Sequence, residues 1–274
     1  MQSILQGEKF MTTPKNPNDI SMHRDTIKLS AEEKKSTLMV AHRGVSWLER
    51  ENTCAAFIAA GQRSYFGVEC DIHRSLDGEF VVMHDSGFAR VAGVDKKIRD
   101  LTYKECQEIT LYDYDGESTR CDLRAPLFED YIKILSHYGK VAVPELKDDF
   151  NAEELDRIVE TTKKYGHFEK TVFITFLWDV AKLLREKYPE ATIQFLASVP
   201  GEGVTAKEHE DKLLEIAKNY NMDLDVHHSI ATKEFIERVH AIGHKINVWT
   251  VNTKERAAEL CSYGIDYITT NIIE

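Results

Sequence analysis

The sequence predicts a (β/α)8 (TIM) barrel with a small inserted subdomain, and three observations carry that expectation. Eight short apolar runs rich in Val, Ile and Phe recur along the chain, joined mostly by amphipathic helical stretches. The runs are continuous rather than alternating, which suits strands buried on both faces of a parallel sheet. The length of 274 residues accommodates one such barrel, which takes about 250 residues.

Residues 1–36 precede the pattern. They are polar, with Pro14, Pro17 and the charged stretch Glu32-Glu33-Lys34-Lys35. They are expected to form a loosely ordered extension, part of it vector-derived or upstream of the natural start. The barrel is expected over 37–274, with strands at 37–41, 66–72, 141–146, 172–176, 192–197, 222–226, 245–251 and 266–270. Helical spacing is clearest at Phe128, Tyr131, Ile132, Leu135 and at Phe235, Ile236, Val239, Ile242. Gly139 and Gly243 follow those stretches, where a left-handed residue closes a helix. A ninth β-prone segment, 80–84, lies too close to its neighbour to be a parallel partner, since a parallel crossover takes a dozen residues or more. It reads as the return strand of a hairpin. Residues 86–139 break the rhythm with a helical stretch, the polar run 113–120 and a helix from Leu127. They are expected to be an insertion between the second and third barrel strands.

Hydrophobic residues make up 42% of the chain, enough for a substantial core. Asp and Glu number 46 against 35 Lys and Arg, a formal net charge of -11. That balance argues against nucleic acid as a partner, because phosphate backbones need a basic stripe. A small phosphorylated ligand needs only a few local cations or a metal. Cys54, Cys70, Cys106, Cys121 and Cys261 are odd in number and contain no C-x-x-C pair, so reduced thiols in a cytoplasmic protein are expected. No apolar run reaches the ~18 residues of a membrane span. Oligomeric state is not legible.

The chemistry gathers first between Gly67 and Asp85. Asp77-Gly78, between two β-prone runs, signals a two-residue hairpin turn. Such a turn sets Leu76 opposite Glu79 and Asp71 opposite His84, with Cβ atoms roughly 5 Å apart. Glu69 shares that face, because side chains alternate along a strand. Two carboxylates and an imidazole on one patch read either as a metal site with an acid or base beside it, or as a solvated hairpin with ordinary surface charge.

Functional side chains of such barrels sit at the C-terminal ends of the strands. Those ends carry His42 and Arg43 after the first strand, Glu69 and Asp71 at the second, Glu145 and Lys147 at the third, and Trp249 and Asn252 at the seventh. Three carboxylates offer hard oxygen ligands, suited to Mg2+, Mn2+ or Ca2+ rather than Zn2+. Arg43 and Lys147 supply positive charge for an anionic substrate. His42 and His84 come from separate elements and suit a pair in which one takes a proton and the other gives one. His227-His228, near the end of the sixth strand, read as two polar strand-end residues, with a further metal site as the alternative.

Taken together, His42-Arg43-Gly44, Glu51-Asn52-Thr53, Glu69-x-Asp71, Asp77-Gly78, His84-Asp85, Glu145-x-Lys147 and Trp249-Thr250-Val251-Asn252 resemble the glycerophosphodiester phosphodiesterases, within the phospholipase-C-like phosphodiesterases. The pieces stand in that family's order, from residue 41 almost to the end. The resemblance implies hydrolysis of glycerophosphodiesters to glycerol 3-phosphate and an alcohol. It implies one divalent cation, Mg2+ or Ca2+ with Mn2+ as an option, on Glu69, Asp71 and Glu145. It implies His42 and His84 as the acid/base pair and Arg43 and Lys147 as phosphate-binding cations. Trp249 is expected to pack against the glycerol or alcohol, or else to fill the barrel mouth. Glu51 is expected either to orient the metal or its water, or to cap the helix after Asn52-Thr53. The family analogy favours attack by the neighbouring glycerol hydroxyl, with His42 as base and His84 as acid, and a cyclic phosphate that water then opens.

Four positions depart from the family pattern. Arg50 stands where Pro is frequent, Thr175-Phe176 where Ser-Phe is, Asn271 where Asp is usual, and Val91-Ala92 lack hydroxyls. None is expected to touch the metal or the histidines. Two other functions stay open: a phospholipase-D-like hydrolase of lysophospholipids, which calls for an apolar trough, and a non-catalytic phosphodiester-binding barrel, which does not need both histidines.

Overall fold

The computed structural model describes residues 25–114, 116 and 120–274. Residues 1–24 of the expected extension, and part of the run 113–120, lie outside the described residues. The strands are β1 Leu38–Ala41, β2 Gly67–Arg74, β3 Phe80–Val82, β4 Val141–Leu146, β5 Val172–Thr175, β6 Thr192–Ala197, β7 Asp223–His227, β8 Ile246–Trp249 and β9 Tyr267–Thr270. The helices are α1 Ala31–Lys34, α2 Cys54–Gly61, α3 Ala89–Ala92, α4 Tyr103–Glu108, α5 Phe128–Tyr138, α6 Ala152–Lys164, α7 Trp178–Lys187, α8 Ala206–Tyr220, α9 Lys233–Ala241 and α10 Lys254–Tyr263.

Every strand except β3 runs parallel to its neighbours, in the order β1-β9-β8-β7-β6-β5-β4-β2. Pairing of Val40 with Gly67 and of Ala41 with Val68 closes the ring. The result is the (β/α)8 TIM barrel read from the sequence. Strand β2 shows how alternation builds it. Val68, Cys70 and Ile72 join the main core among the surrounding helices, which leaves Glu69, Asp71 and His73 on the inner face. An apolar layer of Val40, Val143, Ile174 and Leu196 fills the interior one step before the polar strand ends.

Helix α5 buries Phe128, Tyr131, Ile132 and Leu135 and stops at Gly139, whose φ of 67° supplies the left-handed cap. The Tyr131 hydroxyl accepts from Val143 N–H at 2.8 Å and donates to the Val68 carbonyl at 2.6 Å, tying the helix to β2 and β4. The inserted region has its own small core, built on Met83, Phe88, Val91, Ile98, Leu111 and Leu123. Helix α5 lies outside that core and belongs to the main one.

Residues 25–36 fall in the stretch expected to be loose, yet here they are packed. Ile27 forms a parallel bridge with Ile273, and Leu29 is buried. Ser30 and Glu33 form a reciprocal capping box on α1, and Glu33 meets Lys254 at 3.1 Å. Backbone pairing to the C-terminal segment compensates for a polar composition.

The hairpin differs from expectation by one residue. Ile72 pairs with Val82, His73 with Val81 and Arg74 with Phe80, and Ser75 N–H donates to the Glu79 carbonyl at 2.9 Å. The loop is therefore Leu76-Asp77-Gly78, with Gly78 at φ 80°, a three-residue hairpin closed by a left-handed glycine. Three contacts favour it over the two-residue turn. Leu76 N–H donates to the Leu101 carbonyl at 2.8 Å, and Asp77 Oδ1 accepts from Ser75 Oγ and from Tyr103 N–H. Asp71 consequently faces Met83, whose N–H donates to the Asp71 carbonyl at 3.0 Å. His84 lies beyond the ladder rather than opposite Asp71.

Candidate active site

Glu69, Asp71 and Glu145 converge inside the barrel. One carboxylate oxygen from each lies within 4.8 Å of the others. They come from β2 and β4, where Asp71 pairs directly with Glu145, so parallel pairing itself brings the acids together. Burial, followed by repulsion from Asp71, pushes Glu145 up to about 7 and Glu69 well above the usual carboxylate range. Burial acts on Asp71 in the same direction, but Arg43 and Lys147 outweigh it and hold Asp71 below that range. Arg43 Nε stands 3.4 Å from Asp71 Oδ2. Lys147 Nζ stands 3.3 Å from Asp71 Oδ1 and 3.0 Å from Glu145 Oε1. Asp71 Oδ1 nevertheless makes no hydrogen bond. With all three ionised, these carboxylates outnumber the two cations beside them, a charge that a divalent cation on oxygen ligands would balance.

The turn after β1 wraps this cluster. Arg43 adopts φ 54° and Gly44 φ 80°. A Cβ on Gly44 would sit 2.6 Å from Ala56 Cβ, so only glycine lets the turn pack on α2. In that conformation the Arg43 N–H donates to Glu69 Oε2 at 2.7 Å. Asn52, also at positive φ, donates from Nδ2 to Asp71 Oδ2 at 2.7 Å.

The two histidines have chemically different partners. His42 Nδ1 meets Asn271 Oδ1 at 2.7 Å, and since an amide oxygen only accepts, Nδ1 carries the proton. Its Nε2, left as an acceptor, points toward the acids, 4.0 Å from Glu69 Oε2. Burial, and next the charge of Arg43, push His42 down to about 3, so the ring is neutral. His84 Nδ1 instead donates to Asp85 Oδ1 at 2.7 Å. Burial would raise Asp85, yet hydrogen bonds from His84 and Arg90 hold it below the carboxylate range. His84 follows Met83, whose N–H bonds to the Asp71 carbonyl, so it enters directly beyond the strand end that carries the acids.

Glu51 does not cap the helix. Thr53 caps α2, while Glu51 bridges Arg43 at 3.1 Å and Arg90 at 2.7 Å. Arg90 in turn donates from Nε to Asp85 Oδ2 at 2.7 Å. An unbroken line of ion pairs thus runs from Asp71 through Arg43, Glu51 and Arg90 to Asp85, which hydrogen-bonds His84. Trp249, half-buried at the end of β8, packs edge-on to Phe176 and to His227, with centroids 5.6 and 5.3 Å away. His227 and His228 stack on each other. Among the described residues, the group of three or more candidate ligands is the Glu69, Asp71 and Glu145 cluster.

A model of the glycerophosphoryl diester phosphodiesterase family matches residues 42–274. The chain belongs to that family. It is a phosphodiesterase. The chain is 24% identical over 239 residues to the glycerophosphodiester phosphodiesterase of Caldanaerobacter subterraneus subsp. tengcongensis, covering 86% of this chain and 94% of that protein. The solved glycerophosphodiester phosphodiesterase of Thermotoga maritima is similar at 27% identity and a TM-score of 0.67, over 86% of this chain and 94% of that one. An Oleispira antarctica phosphodiesterase, solved with the product sn-glycerol-3-phosphate, shares the fold at a TM-score of 0.74 and 24% identity, over 85% and 92% of the two chains.

Sequence reasoning brought His42, Arg43, Glu69, Asp71, His84, Glu145 and Lys147 to one place, with Trp249 at the rim. It missed Asn52, Asp85 and Arg90 as partners of the site, though each stands inside or beside a quoted motif. It also placed Asn271 away from the histidines, and that reading is overturned: Asn271 is the hydrogen-bond partner of His42. The chain reaches Asn271 directly after β9, and Asn252 Oδ1 accepts its N–H at 2.9 Å. A strand-end position adjoining the first strand was the available signal.

Proposed function

We propose that the enzyme hydrolyses glycerophosphodiesters to glycerol 3-phosphate and an alcohol, dependent on a divalent cation, with His42 as base and His84 as acid. The observation that carries the reading is the contrast between the histidines' partners across one acidic cluster. An amide leaves His42 with one proton and a free Nε2 acceptor, whereas a carboxylate beside His84 can balance a second proton on that ring. Glu69, Asp71 and Glu145 would hold the cation, and their all-oxygen donor set favours Mg2+ or Ca2+, with Mn2+ acceptable. When bound, it would draw off the negative charge that grows on the phosphate oxygens. Arg43 and Lys147 bind the same oxygens. His42 Nε2 takes the proton of the neighbouring glycerol hydroxyl as that oxygen attacks phosphorus, and His84 protonates the departing alcohol. Water then opens the cyclic phosphate with the histidine roles reversed. Trp249 packs against the glycerol or alcohol group. The product named in the Oleispira antarctica structure accords with this outcome.

A coupled assay for glycerol 3-phosphate, using chelated protein, a panel of head groups and added Mg2+, Mn2+ or Ca2+, tests the proposal. Turnover that needs an added cation is expected. Silence across the panel with every cation overturns it.

One observation favours a second reading, a lysophospholipid substrate. Phe176 and Leu177 after β5, and Val199 and Val204 after β6, are exposed apolar residues on adjacent loops at the mouth. Phe176 touches Trp249, so an apolar path leads outward from the site. Among the described residues no helix is long and apolar enough to cross a membrane.

A further inference from the structure

We propose that His73 is a positioning residue for His84, holding its backbone so that the imidazole faces the acids. The inference rests on the reading of His84 as the acid.

The need for such a device follows from the hairpin. Strand β3 ends at Val82, and the last pairing before the site joins Met83 N–H to Asp71. Sheet register therefore does not aim His84. His73 stands on the inner face of β2, opposite Val81, and is 6% exposed. Its Nε2 donates to the His84 carbonyl at 3.1 Å, and its Nδ1 donates to Asp148 Oδ1 at 2.8 Å. Both partners are acceptors, so each ring nitrogen is a donor. The other oxygen of Asp148 accepts from the Arg74 N–H at 2.7 Å. The brace thus begins on the backbone of a barrel strand, passes through Asp148 and His73, and ends on the backbone of His84. Asp85 holds the His84 ring itself, through Nδ1. Fixing a proton donor within a few tenths of an ångström is what such supporting bonds contribute to catalysis.

In the first step, a loosened acid slows departure only of a leaving group that needs its proton. Wild type, His73→Asn, His73→Gln and His84→Ala are compared on glycerophosphocholine and on the 4-nitrophenyl diester of glycerol phosphate, with the same added cation. Choline departs as an alkoxide that must be protonated; 4-nitrophenolate does not need it. The readout is the ratio of kcat/KM for the two substrates, which reports departure of the leaving group and not the later opening of the shared cyclic phosphate. Gln can place an amide N–H near the Nε2 position, and Asn near Nδ1 only, so both variants keep a polar group in the pocket. His84→Ala is expected to shift the ratio against choline by ~10²-fold. His73→Asn should shift it by roughly 10-fold in the same direction, and His73→Gln should restore it to within about 3-fold of wild type. An unchanged ratio in His73→Asn, even with both rates lowered together, overturns the brace, as does equal impairment in His73→Gln. An unchanged ratio in His84→Ala overturns the acid assignment itself, and the brace falls with it.

Discussion

His42 Nδ1 and Asn271 Oδ1 stand 2.7 Å apart, and Asn271 is itself held by Asn252 and by Ser46 Oγ at 2.8 Å. A strand-end amide therefore fixes which nitrogen of His42 faces the acids. Replacing Asn271 with Leu removes the acceptor and frees the ring. A kcat loss of roughly 10-fold is expected, short of the ~10²-fold or greater loss for His42→Ala or His84→Ala. Near-wild-type glycerol 3-phosphate release by both alanine variants would remove the histidines from the mechanism.

Asn271→Asp tests the sign of the same contact. A carboxylate favours the doubly protonated ring, so His42 rises from about 3. A base works only above its own pKa, so the acidic limb of the kcat/KM profile should move to higher pH. An acidic limb that stays in place would disconnect Asn271 from the base.

Cation binding should depend on pH. Glu145, pushed up to about 7, and Glu69, also raised by burial, hold protons in the folded metal-free protein at pH values where the unfolded chain has lost them. That protein loses stability as pH rises from about 4.5 through about 7. A cation replaces those protons, so its effect on Tm should grow across the same window. Thermal melts with chelator and with Mg2+ at several pH values measure this; a Tm shift independent of pH would contradict it.

Tyr131→Phe removes a hydroxyl that serves both Val143 N–H and the Val68 carbonyl in a fully buried setting. Leaving those groups unpaired should destabilise the protein by about 1–3 kcal/mol. Urea unfolding gives the value, and a change under about 0.5 kcal/mol would show that the strands re-pair without it.

Phe176→Asp discriminates between substrates. If the apolar path receives an acyl chain, kcat/KM for a lysophospholipid should fall at least ~10-fold more than for glycerophosphocholine, since burying a side chain of this size is worth about 1.5–3 kcal/mol. Equal losses on both substrates would leave the deacylated diester as the substrate.

Most of the barrel was legible because continuous apolar runs and helical spacing report burial locally. The segments 141–146 and 192–197 coincide with β4 and β6, and the remaining strands differ at their ends by one or two residues. The acids were legible for a related reason: Glu69, Asp71 and Glu145 interrupt runs that are otherwise apolar. The hairpin register was not, because Asp77-Gly78 suits a two-residue and a three-residue loop alike. The choice fell to Leu101 and Tyr103, which lie in the insertion and bond to Leu76 and Asp77.

The sequence by itself determined the fold class, the acidic cluster and the presence of two histidines and two cations at strand ends, since each follows from local pattern and strand order. Only the tertiary structure decided how the histidines differ. Asn271 reaches His42 through the closure of β1 on β9, and Arg90 links Asp85 to Glu51, far back in the chain. Contacts between residues far apart in the chain are set by how the barrel closes, and no local period encodes them.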